Sequence, residues 1–381
     1  MLAPPRPIVS RRQSDATVLI AGGGTAGHVE PALALAEVLR DRGHQVLMLG
    51  TATGAEAMLV PARDFELLLI DKVVLPRSVS ADAITLVPRM QRAVSAVRAI
   101  VRERHVDAVV GFGGYVAMPA YLAARSRVPY VVFSYDAKVG IANRIGARGT
   151  RWRAVGQPGT MANAVHTGVP MRRSIVRLDR SGSREVAARH FGVDPNLPTL
   201  LVFGGSLGAR RLNDAVVGAS SFIRGMGWQV VHVTGRRNED DLRRSAEIGE
   251  SAGPAWIARA YVDQMNYAYS IADFIISRAG AMTCAELACV GVPAALVPYA
   301  VGNGEQELNA APLVASGGYM MIADKQFSSD RLSESVGAIM RDPSALHVMT
   351  SAAQAFAKSG HITDGAERLA DLVEKAIESR R

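Results

Sequence analysis

Ala21–Pro31 reads AGGGTAGHVEP, set between the apolar run Thr17–Ile20 (TVLI) and the amphipathic segment Pro31–Arg40 (PALALAEVLR). Strand, glycines and helix in that order leave backbone N–H groups unpaired where the helix begins, which makes a ready site for an anion. Gly22, Gly24 and Gly27 suit such a turn because a Cβ would hinder close backbone approach and positive φ angles. Their G-x-G-x-x-G spacing alone is a weak signal, shared with dinucleotide sites. His28 sharpens it, because it stands where loop becomes helix and can face whatever the loop holds. A solvated or merely hydrogen-bonded surface histidine is the bland alternative.

The same pattern returns later in the chain. TVLIA, GGGTAGH, a helix and HQVLMLG are matched by TLLVF from Thr199, GGSLGARRLN, a helix to about Gly227 and WQVVHVTG. Two similar βαβ starts predict an α/β fold of two Rossmann-like domains facing across a cleft. The first is expected over 16–172 and the second over 173–360, after a disordered leader at 1–15. Between the two starts, HVDAVV (His105–Val110) predicts a buried strand that ends in a second glycine loop, Gly111–Tyr115. PYVVFS (Pro129–Ser134) predicts another strand, leading into Tyr135-Asp136-Ala137-Lys138. The charged amphipathic stretch Asp364–Ser379 reads as a last helix whose apolar face must dock elsewhere, so 361–381 is expected to pack back on the earlier sheets.

A chain of 381 residues fits two domains. No apolar run approaches the roughly eighteen residues of a membrane span. Cys284 and Cys289 lie in one predicted helix with no companions at zinc spacing, so neither a disulfide nor a metal site is expected, and a reducing cytoplasm suits them. The net charge of +8 implies acidic partners. Arg89, Arg92, Arg98, Arg102 and Arg104 fall in one helical stretch, interleaved with Leu86, Val87, Met90, Val94 and Val97. That stretch is either an ordinary solvated helix face or a patch for anionic lipid headgroups. Aromatic residues are sparse and no nucleic-acid reader motif occurs, so nucleic acid is not an expected partner.

The second half supplies two more constellations. DFIIS (Asp273–Ser277) predicts a strand before Arg278-Ala279-Gly280-Ala281-Met282-Thr283 and a helix that carries Glu286. This is another helix N-terminus suited to phosphate, and Glu286 could hold a ribose diol or merely cap its helix. GVPAALVPY (Gly291–Tyr299) precedes Gly302–Glu307, where Glu305 and Gln306 suit sugar hydroxyls or an ordinary polar loop. A dinucleotide oxidoreductase is disfavoured. The strand after the first helix ends Met48-Leu49-Gly50-Thr51, with no ribose-binding acid until Glu56, and two glycine turns are surplus to that scheme.

These motifs in this order resemble the MurG family of glycosyltransferases, in its actinobacterial branch, from about Thr17 to the last helix. GGGTAGHVEPALA, VGFGGYVAMPAYLAAR, GGSLGARRLN, RAGAMTCAEL and GNGEQELNA carry the likeness. It implies a GT-B fold and transfer of N-acetylglucosamine from a UDP donor to the polyprenyl-diphosphate acceptor lipid I, giving lipid II at the cytoplasmic face of the membrane. The resemblance puts His28 on the acceptor side as base or diphosphate contact; for the base itself, His28 is the first choice and Asp136 the second. Gly24, Thr25, Gly27, Gly113, Gly114, Tyr115, Asn143 and Arg172 are implied around the acceptor. It implies Gly205, Ser206 and Gly208 at the donor phosphates and Val262 at the uracil. Arg278, Gly280, Ala281, Met282 and Thr283 form the donor turn, with Glu286 at the ribose and Glu305 and Gln306 at the sugar.

Two motifs depart from the family pattern. Phe133-Ser134-Tyr135-Asp136 replaces H-E-Q-N or H-E-A-N, and Val169-Pro170-Met171-Arg172 alters N-P-x-R. An acid at 136 cannot donate to a sugar oxygen unless protonated. A paralogue using another UDP-sugar or a phosphoglycolipid acceptor, a GT-B epimerase and a non-catalytic UDP-sugar-binding protein therefore stay open. The mechanism expected is inverting and needs no metal or other cofactor. No D-x-D sequence occurs, and helix N-termini at both donor loops would meet the departing diphosphate.

Overall fold

The computed structural model describes residues 16–73, 82–205, 208–236, 238–299, 304–359 and 363–380. Two parallel sheets organise them. The first holds β1 (Thr17–Ala21), β2 (Gln45–Gly50), β3 (Glu66–Leu69), β4 (Ala108–Gly111), β5 (Tyr130–Ser134), β6 (Arg153–Val155) and β7 (Val165–His166), in the order β3-β2-β1-β4-β5-β6-β7. The second holds β8 (Thr199–Phe203), β9 (Gln229–Val233), β10 (Trp256–Arg259), β11 (Phe274–Ser277), β12 (Ala294–Leu296) and β13 (Tyr319–Met321), in the order β10-β9-β8-β11-β12-β13. Every described pairing is parallel, and β1, β4, β5, β8 and β9 are buried throughout, as strands covered on both faces must be.

Strand order reverses between β1 and β4 in one sheet and between β8 and β11 in the other. These are the switch points at which open α/β sheets bind ligands beyond their strand ends. All four glycine turns noted in the sequence follow one of these four strands. Topology therefore brings two loop pairs to the rims of the two sheets.

The first helix, Ala26–Asp41, starts five residues before the segment expected for it, so His28 lies within its first turn. Val29–Ala36, Val38 and Leu39 are all buried, so this stretch is covered on every side, while Glu37 is half-buried and Arg40 exposed, as an amphipathic segment requires. The reason for that cover lies far along the chain. The last helix, Gly365–Glu378, packs on the first helix, and its Leu369, Ala370, Val373 and Ala376 join β1 and the first helix in one core. Arg42 clamps the pair, donating to Glu367 at 2.7 Å and to Asp371 and Glu374 at 2.8 Å each. The preceding helix, Pro343–Lys358, packs on the second domain, so the chain passes between domains twice. In the second βαβ unit, the helix expected to reach about Gly227 breaks at Ala219 into Arg210–Gly218 and Ser220–Gly225.

The leader at 1–15 lies outside the described residues. Among the described residues, no helix is long and apolar enough to cross a membrane.

Candidate active site

A cleft of about 360 Å³ lies between the two sheet rims. From the first domain it is lined by Thr25, Ala26, Gly27, His28, Glu30, Tyr135 and Asp136, with Arg172 of the linker. From the second come Phe203, Gly205, Val233, Tyr261, Val262, Met265, the turn Gly280–Thr283, Glu286 and Glu305.

The first glycine loop is held from beneath by Glu56. Its fully buried carboxylate accepts from the Gly24 N–H at 2.7 Å and from the Thr51 N–H and hydroxyl at 2.8 Å each. The acid that comes too late for a ribose is thus a loop anchor. The second loop rests directly on the first: a Cβ on Gly114, whose φ is +76°, would fall 2.3 Å from the Gly23 carbonyl oxygen. Gly113 stacks against the outer edge of the His28 ring, and Tyr115 packs on Gly24 beneath the Lys72 ammonium.

His28 is half-buried, with Nδ1 3.1 Å from the Thr25 hydroxyl and its ring edge-on to Tyr135 at 5.8 Å between centroids. Burial pushes its pKa down to about 4, against the opposing pull of the Glu56 charge. The imidazole is therefore neutral at pH 7. Asp136 behaves oppositely. Burial first, and then the charge of Glu305, raise its pKa to about 6.

Glu286 stands in the first turns of the helix Ala281–Val290 and is engaged on two sides, accepting from the Tyr269 hydroxyl at 2.7 Å and from Arg172 at 3.1 Å. Arg172 also lies 3.8 Å from Glu30 of the first helix, and Arg63 donates to Glu30 at 2.7 Å. Arg172 was expected among acceptor contacts. Its guanidinium lies instead between the two domains, paired with the residue expected at the ribose.

Three residues expected at the cleft are placed away from it. Asn143 is buried beneath it, donating to the Phe133 carbonyl at 2.8 Å and accepting from the Tyr121 hydroxyl at 2.7 Å. Both polar ends of its carboxamide are spent tying β5 to the helix Ala117–Ala124. Arg278 turns into the second domain, where it pairs with Asp324 and donates to the Val297 carbonyl at 3.0 Å. The Gln306 side-chain oxygen accepts from the Tyr299 N–H at 2.9 Å, which leaves Glu305 as the cleft-facing member of that pair. Gly208 packs on Asn238 beside the third loop, and Ser206 lies outside the described residues.

The first turn of the Ala281–Val290 helix has no side-chain cap, so its amides are open toward the cleft. Arg89, Arg92, Arg98 and Arg102 are all exposed on the helix Asp82–Glu103, whereas Arg104 is paired with Glu66 at 2.6 Å. Arg98 shares a groove with Arg125 and Arg127. The anchoring role of Glu56 and the pairing of Glu30 with Arg172 were not foreseen. Both depend on side chains meeting across 30 residues or more, and no local spacing marks such meetings.

The glycosyltransferase family 28 N-terminal domain matches residues 18–151, and the family 28 C-terminal domain matches residues 199–368. The chain is 45% identical over 368 residues to a UDP-N-acetylglucosamine–N-acetylmuramyl-(pentapeptide) pyrophosphoryl-undecaprenol N-acetylglucosamine transferase of Acidothermus cellulolyticus, covering 96% of this chain and 99% of that one. A protein of the same name from Streptomyces coelicolor is 45% identical over 95% of this chain and 99% of its own. Among solved structures, the crystal structure of Acinetobacter baumannii MurG superposes with a TM-score of 0.70 at 27% identity, over 94% of this chain and 99% of that one.

Proposed function

This chain belongs to glycosyltransferase family 28, and we propose that it transfers N-acetylglucosamine from UDP-N-acetylglucosamine to lipid I, an undecaprenyl-diphosphate-linked N-acetylmuramyl-pentapeptide, to form lipid II in peptidoglycan synthesis. The observation that carries the reading is the cleft itself. A histidine-bearing glycine loop on one sheet rim faces an uncapped helix N-terminus and a buried ribose-type acid on the other. One side suits a hydroxyl acceptor on a diphosphate carrier, and the other suits a nucleoside diphosphate.

In the step proposed, an acceptor hydroxyl oxygen attacks the anomeric carbon and forms the new C–O bond. The bond from that carbon to the β-phosphate oxygen breaks, and UDP leaves with the electron pair. The hydroxyl proton passes to His28, which is neutral and so free to accept it, with Asp136 as the alternative acceptor. Charge growing on the diphosphate is met by amides preorganised at the Gly280 turn and the Gly204–Gly205 loop, which need no rearrangement as the bond breaks. No metal or other cofactor is required in this scheme.

The same reading puts the enzyme at the cytoplasmic face of the membrane, where a polyprenyl diphosphate acceptor resides. Arg89, Arg92, Arg98 and Arg102 on the outer face of their helix support contact with anionic headgroups there. The test is UDP release with a panel of UDP-sugars, each with and without a short-chain lipid I analogue. Acceptor-dependent turnover confined to UDP-N-acetylglucosamine is expected. Turnover with another sugar, or none with lipid I, would shift the assignment to a paralogue with a different substrate pair.

A further inference from the structure

Asn309 sits one helical turn beyond Glu305 in the helix Glu305–Ala315 and is 2% exposed. It belongs to the second domain, yet its carboxamide oxygen accepts from two groups of the first. These are the Ala137 backbone N–H at 3.0 Å and the Gln157 side-chain amide at 3.4 Å. Its Nδ2 faces the Ala279 carbonyl, just before the Gly280 turn, at 3.4 Å. These two contacts exist only while the two domains are together.

The neighbours of this contact give it a purpose. Ala137 follows Asp136, and Asn309 shares a helix face with Glu305. Asp136 and Glu305 both line the cleft and repel one another when ionised, which by itself would push the domains apart. The Asn309 contact lies beside both acids and opposes that push.

We propose that Asn309 is a positioning residue, whose carboxamide clasps the turn after β5 to the helix Glu305–Ala315 and so holds Asp136 and Glu305 on either side of the donor sugar. The inference rests on the function proposed above for the identity of that sugar. The groups that face the nucleotide, Val262, Glu286 and the Gly280 turn, all lie within the second domain. UDP alone therefore does not need the clasp, while a UDP-sugar does.

Hydrogen exchange and donor binding, both on the full-length enzyme, test this. With Asn309→Ala, amide exchange in peptides spanning 135–139 is expected to quicken about tenfold or more. The Kd for UDP-N-acetylglucosamine should rise roughly tenfold while that for UDP stays within about twofold. Adding Asp136→Asn, which removes the repulsion, should restore part of the protection. Unchanged exchange at 135–139, or equal weakening of UDP and UDP-sugar, would overturn the proposal. If Asn309→Ala exchanges faster throughout the second domain, Asn309→Asp combined with Asp136→Asn, which restores the acceptor without adding an acid to the cluster, decides: a protected Ala137 amide supports the clasp, and one as open as in Asn309→Ala overturns it. Exchange at Ala137 needs no turnover, so wild-type enzyme inactive on lipid I would sink the proposed function and leave the clasp in place.

Discussion

Arg172 Nη2 lies 3.1 Å from Glu286 Oε1, and this pair joins the interdomain linker to the helix Ala281–Val290. Both side chains are largely buried, at 15% and 10% exposure, so neither charge is screened by water when its partner is removed. Arg172→Ala should destabilise the protein by about 3 kcal/mol in urea unfolding. A double-mutant cycle with Glu286→Gln should show a coupling of at least about 1 kcal/mol. Additive effects would mean that the pair contributes nothing as a pair.

Glu286 has a second task in the proposed reaction, holding the ribose diol in exchange for Arg172. Glu286→Gln keeps the shape and removes the charge that makes two strong acceptor contacts. KM for UDP-N-acetylglucosamine should rise at least about tenfold, with a smaller change in kcat. Titration calorimetry with UDP alone should show the same loss, and unaltered UDP affinity would remove Glu286 from the ribose.

The two candidate bases are separable by pH, because a general base works only when deprotonated. With His28 at about 4, kcat/KM should stay level as pH falls through 6 and drop only toward 4. With Asp136 at about 6, the acid limb would instead appear near pH 6 and vanish in Asp136→Asn. We expect the level profile, together with a fall of at least about a hundredfold for His28→Ala.

Asp136 also makes a stability prediction whose sign is unusual for an acid. Its folded pKa is raised above the unfolded value of 3.8, so the folded state binds the proton more tightly and loses stability as pH rises through about 6. Asp136→Asn should therefore stabilise the protein at pH 8, by about 1–3 kcal/mol, and the gain should fade below pH 4. Thermal unfolding across that range reads it directly. A gain that is independent of pH would rule out relief of a buried charge as its source.

Gly114 and Gly159 have nearly the same φ, +76° and +78°, but different surroundings. A Cβ on Gly159 meets nothing within 4 Å, whereas one on Gly114 meets the Gly23 carbonyl oxygen at 2.3 Å. Gly159→Ala should cost about 1 kcal/mol through φ strain alone. Gly114→Ala should cost about 3 kcal/mol or more and prise the two loops apart, with activity lost. Equal costs would deny the close stacking of the loops.

The parts of this molecule legible in its sequence are those with short-range causes. Glycine turns announce helix N-termini within five or six residues, and their repetition from Thr199 announced the second sheet. Side chains that meet across the fold left no such trace. Asn143 was expected at the cleft, yet it spends both polar ends on Phe133 and Tyr121, a buried arrangement set by strand packing. Arg278 begins a phosphate-type turn in sequence, but Asp324, 46 residues later, draws its guanidinium away. The apolar residues of the first helix run around more of its surface than the sheet beside it covers, and it is the arrival of Gly365–Glu378, more than 300 residues later, that completes their burial.

That arrival has a consequence for how the protein comes into being. On the ribosome the first domain emerges first, and β1 and the first helix are made more than 300 residues before the helix that covers them. Leu369, Ala370, Val373 and Ala376 belong to that early core and are almost the last part of it to be synthesised. The amino-terminal half must wait, one flank uncovered, while the carboxy-terminal half folds on its own sheet. Its completion is deferred until the second domain has been made, so nascent chains that stall before Gly365 carry a histidine loop on an unfinished support. Synthesis order thereby delays a finished first domain until the second already exists.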